Sequence, residues 1–190
     1  VRIGIITSRW QSKRLPGKAL LKIQGKPLLQ HIVDRARGST LDDVVVATTL
    51  SSYSIIKYCM DNQINYYAYQ NDENVLGRLL ETAHSYKADT IVYLWGDCPF
   101  IDPVKIDKGL EYFEYDPFYF FDMSQPMAIM KTSLLEELSQ THLSKHKKEY
   151  IHDHIMKNIW RPKVEINSKE DLVKANEIER QIRQEEGTVL

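Results

Sequence analysis

Short apolar runs of strand type alternate with amphipathic segments of helix type along most of this chain, and that alternation constrains its fold more than any other feature. Arg2–Thr7, Val44–Ala47, Ile64–Ala68 and Thr90–Leu94 read as strands, and Pro27–Arg37, Ser52–Asn62, Val75–Tyr86 and Pro103–Phe113 as the helices after them. Pro27 suits a first helical turn, Gly38 stands just past a helix end, and Asn74 is placed to cap the helix behind it. Parallel strands need a connection of helix length between them, so strand–helix alternation predicts a mostly parallel sheet covered on both faces. Beyond Asp116 the pattern is less regular. Phe118–Phe121 and Met127–Met130 read as short strands, Thr132–Ser139 and Lys147–Asn158 as helices, and Lys163–Ile166 as a last strand, after which Ser168 caps a charged helix reaching about Glu185. No linker or repeat divides the 190 residues, and a chain of that length buries enough surface for one domain.

Ligands of such sheets bind outside the carboxyl ends of the strands. That rule brings the loops after Thr7, Ala47, Leu94 and Ile166 to one edge. The first of these loops carries Arg9, Lys13, Arg14 and Lys18, four cations within ten residues. Arginine grips phosphate with a bidentate fork and lysine acts as a point charge. Ser8 and Ser12 add hydroxyls, Gly17 lets the backbone come close to a ligand, and Pro16 stiffens the turn. A solvated basic loop would show the same charges, but its position at a strand end favours a polyphosphate site. Since net charge is only −1, the cations are a local concentration and do not form the broad basic field of a nucleic-acid binder. No apolar run reaches the ~18 residues of a membrane span. Cys59 and Cys98 have neither metal-site nor disulfide-scaffold spacing, which makes a reducing cytoplasm the expected compartment.

Gly96-Asp97-Cys98-Pro99 comes directly after the fourth strand. A carboxylate there is placed to hold Mg²⁺ against phosphate oxygens, whereas Asp102, before Pro103, suits a helix cap. Arg78, one turn into its helix, could reach a nucleotide or pair with Glu81 on the surface; charge spacing alone favours the pair. His142, His146, His152 and His154 read as helix surface, because residues two apart do not share a helical face. The aromatic run from Tyr112 to Phe121 reads as core or as a subunit interface.

The segment Arg9-Trp10-Gln11-Ser12-Lys13-Arg14-Leu15-Pro16-Gly17-Lys18-Ala19-Leu20 resembles the R-x-x-S-x-R-L-P-G-K-x-L loop of cytidylyltransferases, and Gly25-Lys26-Pro27-Leu28-Leu29 is similar to their G-K-P-[LM] segment. Asn74–Arg78 and Gly96–Pro103 look most like the branch named for spore-coat polysaccharide biosynthesis. The resemblance implies a Rossmann-like three-layer αβα nucleotidyltransferase fold with a mostly parallel mixed sheet. Residues 1–110 would form the nucleotide-binding half, and residues 111–190 the acceptor and dimer half. It also implies transfer of CMP from CTP, with Mg²⁺, to a small acidic acceptor in surface-polysaccharide precursor synthesis, and a homodimer. By position, Arg9, Arg14 and Lys18 would hold the triphosphate, Ser12 would support the loop and Ser8 would lie near the base or ribose. Asp97 would bind the metal, and Thr48 and Arg78 would contact the nucleotide.

Two departures qualify this resemblance. Where many relatives read V-D-T-P-E-D-L this chain reads Ile166-Asn167-Ser168-Lys169-Glu170-Asp171-Leu172, so a neutral amide, Asn167, occupies a metal position. The stretch from Asp116 to Pro126 is also short for an acceptor-binding arm. Both keep open a catalytically weakened module of the same fold that binds a nucleotide or a partner.

Overall fold

A computed structural model describes residues 1–12, 14–115, 119–122 (backbone only), 127–141 and 173. In chain order its elements are β1 (Arg2–Thr7), a 3₁₀ turn (Lys18–Leu20), β2 (Lys22–Ile23), β3 (Lys26–Pro27), α1 (Leu28–Arg37), β4 (Asp43–Thr49), α2 (Tyr53–Asp61), β5 (Asn65–Tyr69), α3 (Val75–Ser85), β6 (Thr90–Trp95), α4 (Pro103–Tyr115), β7 (Tyr119–Asp122), β8 (Met127–Lys131) and α5 (Thr132–Gln140). Each described strand and helix expected from periodicity is present, with no end moved by more than two residues. The 3₁₀ turn and the β2–β3 hairpin were not expected; they are too short to carry a periodic signal. Pro27 lies just before α1 rather than inside it, and pairs with Lys22 in the hairpin. The expected elements at Lys147–Asn158, Lys163–Ile166 and Ser168–Glu185 lie outside the described residues, apart from Val173.

Six strands form one sheet in the order β5-β4-β1-β6-β8-β7. β5, β4, β1 and β6 are parallel, and β8 and β7 extend the sheet antiparallel. This is the mostly parallel mixed sheet of a Rossmann-like αβα fold. The chain runs outward from β1 to β4 and β5, then returns through α3 to β6 on the far side of β1. Strand order therefore reverses between β1 and β6, the position where a ligand crevice opens in such sheets.

Alternation along each strand divides the core into two layers. Ile6, Val44, Val46, Val92 and Leu94 pack with α1, α2 and α4 through Leu29, Ile32, Ile55, Ile106 and Leu110. Ile3, Ile5, Val45, Ala47, Ile91 and Tyr93 face α3 and α5 through Leu76, Leu79, Ala83 and Leu135. β1 and β4 are apolar at nearly every position because both of their faces are covered. In the aromatic run Phe113 is core while Tyr112 and Tyr115 are exposed; the side chains of residues 116–126 lie outside the described set.

Gly96 is required by close packing where β6 ends. A Cβ there would overlap the Thr7 carbonyl oxygen, and backbone on both sides leaves nothing free to move aside. At Gly4 the corresponding obstacle is a terminal methyl of Leu41, which can rotate away. Gly96→Ala is therefore expected to cost about 1–3 kcal/mol in urea unfolding and Gly4→Ala clearly less; equal losses would show that the β1–β6 edge is not held this tightly.

Candidate functional site

Because β1, β4, β5 and β6 are parallel, the loops after Thr7, Thr49, Tyr69 and Trp95 emerge along a single edge of the sheet. The loop after β1 is fastened to its neighbours on both sides. Ser8, buried, continues the β1–β4 ladder by donating its N–H to the Ala47 carbonyl at 3.0 Å. Trp10 organises the remainder of the loop. Its carbonyl accepts from the N–H groups of Ser12 at 2.9 Å and Gly17 at 3.0 Å, and its own N–H donates to Ser52 Oγ at 2.8 Å. The indole fills the space where a Cβ on Gly17 would lie, and Gly17 has φ of 70°, so both packing and backbone conformation require glycine there.

Arg9 points toward the outer strands, where its Nη1 donates to the Asp72 carbonyl at 2.9 Å. The Asp72 carboxylate accepts from Ser51 Oγ at 2.8 and 3.0 Å, and Thr49 Oγ1 lies 3.0 Å from Ser51 Oγ and 2.9 Å from Ser52 Oγ. Burial alone would raise the Asp72 pKa. Hydrogen bonds from Thr49 and Ser51 and the charges of Arg9 and Arg78 outweigh it and hold the carboxyl below its ordinary value of 3.8.

On the other side of β1, Lys18 donates to Asp97 Oδ2 at 2.6 Å. The two side chains are only 15% and 17% exposed, so this pair is largely withdrawn from water. Cys98 Sγ donates to the other Asp97 oxygen at 3.7 Å. Tyr93 stands beneath. Burial pushes its phenol up to about 12 against a hydrogen bond from Thr7, and the charges of Arg78 and Asp97 both reach it. The phenol is thus a neutral wall of the site.

The structure brings Lys18 and Asp97 together across 79 positions of sequence and gathers Arg9, Arg78 and Asp97 around Asp72 and Tyr93. Arg78 is 2% exposed, which corrects the surface reading; Glu81 accepts from the Tyr67 hydroxyl at 3.3 Å. Arg14 is on the exposed outer side of the loop, and Ser12 is partly buried. Thr48 is fully buried, and its hydroxyl has no hydrogen-bond partner among the described residues. Asn74 and Asp102 act as caps: Asn74 accepts from Gly77 N–H and Asp102 from Val104 N–H, each at 2.9 Å. Asn167, Lys13 and the histidines at 142, 146, 152 and 154 lie outside the described residues. Sequence reasoning missed Trp10, Ser51, Ser52, Asp72 and Tyr93 as site-builders. Trp10 stood inside the β1 loop already singled out, and Asp72 stood two residues before the Asn74 cap.

Among the described residues no three His, Cys, Asp or Glu side chains converge as a metal cage. One hard carboxylate at a strand end, Asp97, would fit an ion such as Mg²⁺. That ion takes one or two carboxylates and completes its shell with water and phosphate oxygens. No helix among the described residues is long and apolar enough to cross a membrane.

The profile of the cytidylyltransferase family matches residues 3–186. A protein of Methanocaldococcus jannaschii is 30% identical over 164 residues, which make up 82% of this chain and 67% of the relative. A 3-deoxy-manno-octulosonate cytidylyltransferase of Trichlorobacter lovleyi is 34% identical over 116 residues, 60% of this chain and 46% of the relative, so the match spans less than half of that enzyme. A solved cytidylyltransferase from Leptospira borgpetersenii superposes with a TM-score of 0.75 at 26% identity, covering 88% of this chain and 78% of that one. A CMP:2-keto-3-deoxy-manno-octonic acid synthetase complexed with CTP has the same fold, with a TM-score of 0.78 at 20% identity and coverage of 95% and 98%.

Asp72 also leaves a mark on acid stability. Its pKa in the folded chain lies below the ordinary 3.8, so its contribution is complete above that value and is lost as pH falls through the folded value. Asp72→Asn is expected to melt at a temperature that changes less between about pH 6 and about pH 3 than the parent's. An unchanged acid limb would mean that the Thr49–Ser51 network does not hold this carboxylate.

Proposed function

The chain belongs to the cytidylyltransferase family, and we propose that its strand-end site binds the triphosphate of CTP with Mg²⁺ and transfers CMP to a small acidic sugar or similar acceptor, releasing pyrophosphate. The observation that carries this reading is the meeting of Lys18 and Asp97 at the reversal of strand order between β1 and β6. A cation suited to phosphate and a carboxylate suited to a metal stand there within hydrogen-bonding distance, at the switch in strand order where sheets of this kind bind ligands.

Each residue has a part in this reading. Lys18 takes a phosphate oxygen as a point charge, and Arg14, exposed on the loop, adds a fork at the mouth of the site. Arg9, anchored by the Asp72 carbonyl, adds positive potential on the outer side, where Arg78 reinforces it from below. Ser8 and Ser12 offer hydroxyls along the loop. Asp97, with Asn167 as the second candidate, would hold the metal, and the bound ion supplies neutralisation of charge on the phosphate oxygens. Thr48 serves the nucleotide indirectly, by shaping the end of β4, because its side chain is enclosed.

The chemistry asks the protein for position and charge more than for covalent participation. An oxygen of the acceptor attacks the α-phosphorus, the bond to the bridging oxygen breaks, and the electron pair leaves on pyrophosphate. The cations of the β1 loop stabilise that leaving group. No protein nucleophile enters the reaction, which agrees with the neutral Tyr93 and with a Cys98 thiol committed to Asp97. The sugar class is drawn from similarity to 3-deoxy-manno-octulosonate cytidylyltransferases, and a role in surface polysaccharides comes from the same source.

Two measurements test this. In a thermal-shift comparison of the four nucleoside triphosphates with Mg²⁺, CTP is expected to raise the melting midpoint most, through its binding to the folded state. With CTP, Mg²⁺ and a panel of acidic sugars, pyrophosphate release is expected, and Arg14→Ala or Lys18→Met should each lower kcat/KM about a hundredfold. If CTP gives no stabilisation and no acceptor gives turnover, the reading is wrong.

A further inference from the structure

We propose that the Lys18–Asp97 pair is an electrostatic latch that makes the divalent cation and the nucleotide triphosphate bind as one unit, each poorly alone. The latch rests on the proposed binding of CTP and Mg²⁺ at this edge and adds to it a coupling between the two ligands. Nζ and Oδ2 are 2.6 Å apart and both side chains are mostly buried, so each charge is poorly hydrated when the pair opens. The second Asp97 oxygen is occupied by the Cys98 thiol, which leaves Lys18 as the only full charge bonded to this carboxylate among the described residues.

A divalent cation arriving alone must displace the Lys18 ammonium from Asp97 and then sit beside it, like charge against like charge. A triphosphate arriving alone must draw Lys18 away and leave a mostly buried carboxylate without its lysine and facing phosphate. When both arrive together the exchange balances: the cation replaces Lys18 on Asp97, and phosphate replaces Asp97 on Lys18. Coupling of this kind is reciprocal, so each ligand tightens the other by the same factor.

The latch predicts effects that ordinary ligand roles do not. Lys18→Gln removes a phosphate contact, yet it is expected to tighten binding of Mn²⁺ to the nucleotide-free protein by about tenfold, read by electron paramagnetic resonance of free Mn²⁺. Asp97→Asn removes the metal carboxylate, yet it is expected to tighten metal-free CTP binding by a similar factor, read by calorimetry in a chelator. The double variant separates a latch from simple repulsion between Asp97 and phosphate. If Asp97→Asn works by releasing Lys18, its benefit disappears in the Lys18→Gln background; if it only removes repulsion, the benefit persists there and the latch is overturned. The double variant leaves neither member of this pair as a lone buried charge, so it guards against misfolding of either single variant, and far-UV circular dichroism checks all three. Mn²⁺ affinity that is unchanged by Lys18→Gln, in a protein that still binds CTP with Mn²⁺, overturns the latch and leaves the proposed function standing. Failure of the parent chain to bind CTP with Mn²⁺ removes both.

Discussion

The fit between β1 and its two parallel neighbours is the constraint on which the rest of this structure depends. Thr7 pairs with Ala47 on one side and Trp95 on the other, so three strands reach the same level of the sheet at once. Gly96 then turns against the Thr7 carbonyl with no room for a side chain. That contact sets how close the loop after β6 comes to the loop after β1. Asp97 is the next residue, and its distance from Lys18 is set by the backbone packing one residue earlier. A looser edge would leave the same residues in the sequence and no site.

The described residues of the loop between β1 and the 3₁₀ turn have no regular structure, yet they have a defined course because their polar groups are tied on both flanks. Trp10 spends its carbonyl on the loop's own backbone and its N–H on Ser52; Arg9 reaches Asp72; Lys18 reaches Asp97. The anchors come from three other strand-end loops. Surface ion pairs elsewhere, such as Lys57 with Asp61 on α2, more than half exposed on both sides, are screened by water and hold nothing in place. The ties at the sheet edge differ from them in burial more than in chemistry, and burial is what makes their geometry definite.

Much of this was legible in the sequence because the signals are local. The strands of the parallel sheet announce themselves as apolar runs, Asn74 and Asp102 as caps, and the β1 loop as a cluster of cations. What stayed hidden depends on contacts distant in sequence. The pairing of Lys18 with Asp97 needs the sheet order, and the role of Ser52 needs the fold to bring it under Trp10. Thr48 shows the limit of reading by position: the family resemblance placed it at the right strand end, but the side chain turns into the core. The β2–β3 hairpin escaped because two-residue strands have no period to detect.

Arg78 shows how a buried charge separates a functional edge from a merely stable one. On α3 its neighbours Leu76, Leu79 and Ala83 build the apolar layer, and a helix optimised for packing alone would carry another aliphatic residue at this inward position. A guanidinium is instead enclosed there, at a cost that only nearby compensation can meet. That compensation reaches it from the Asp72 carboxylate, held ionised by Thr49 and Ser51, while the phenol of Tyr93 stays neutral beside it. Two guanidiniums, those of Arg9 and Arg78, thus act on the single carboxylate of Asp72. In the proposed reading the exposed Arg14 meets an incoming anion at the mouth of the site, and the enclosed Arg78 acts on it from within the fold.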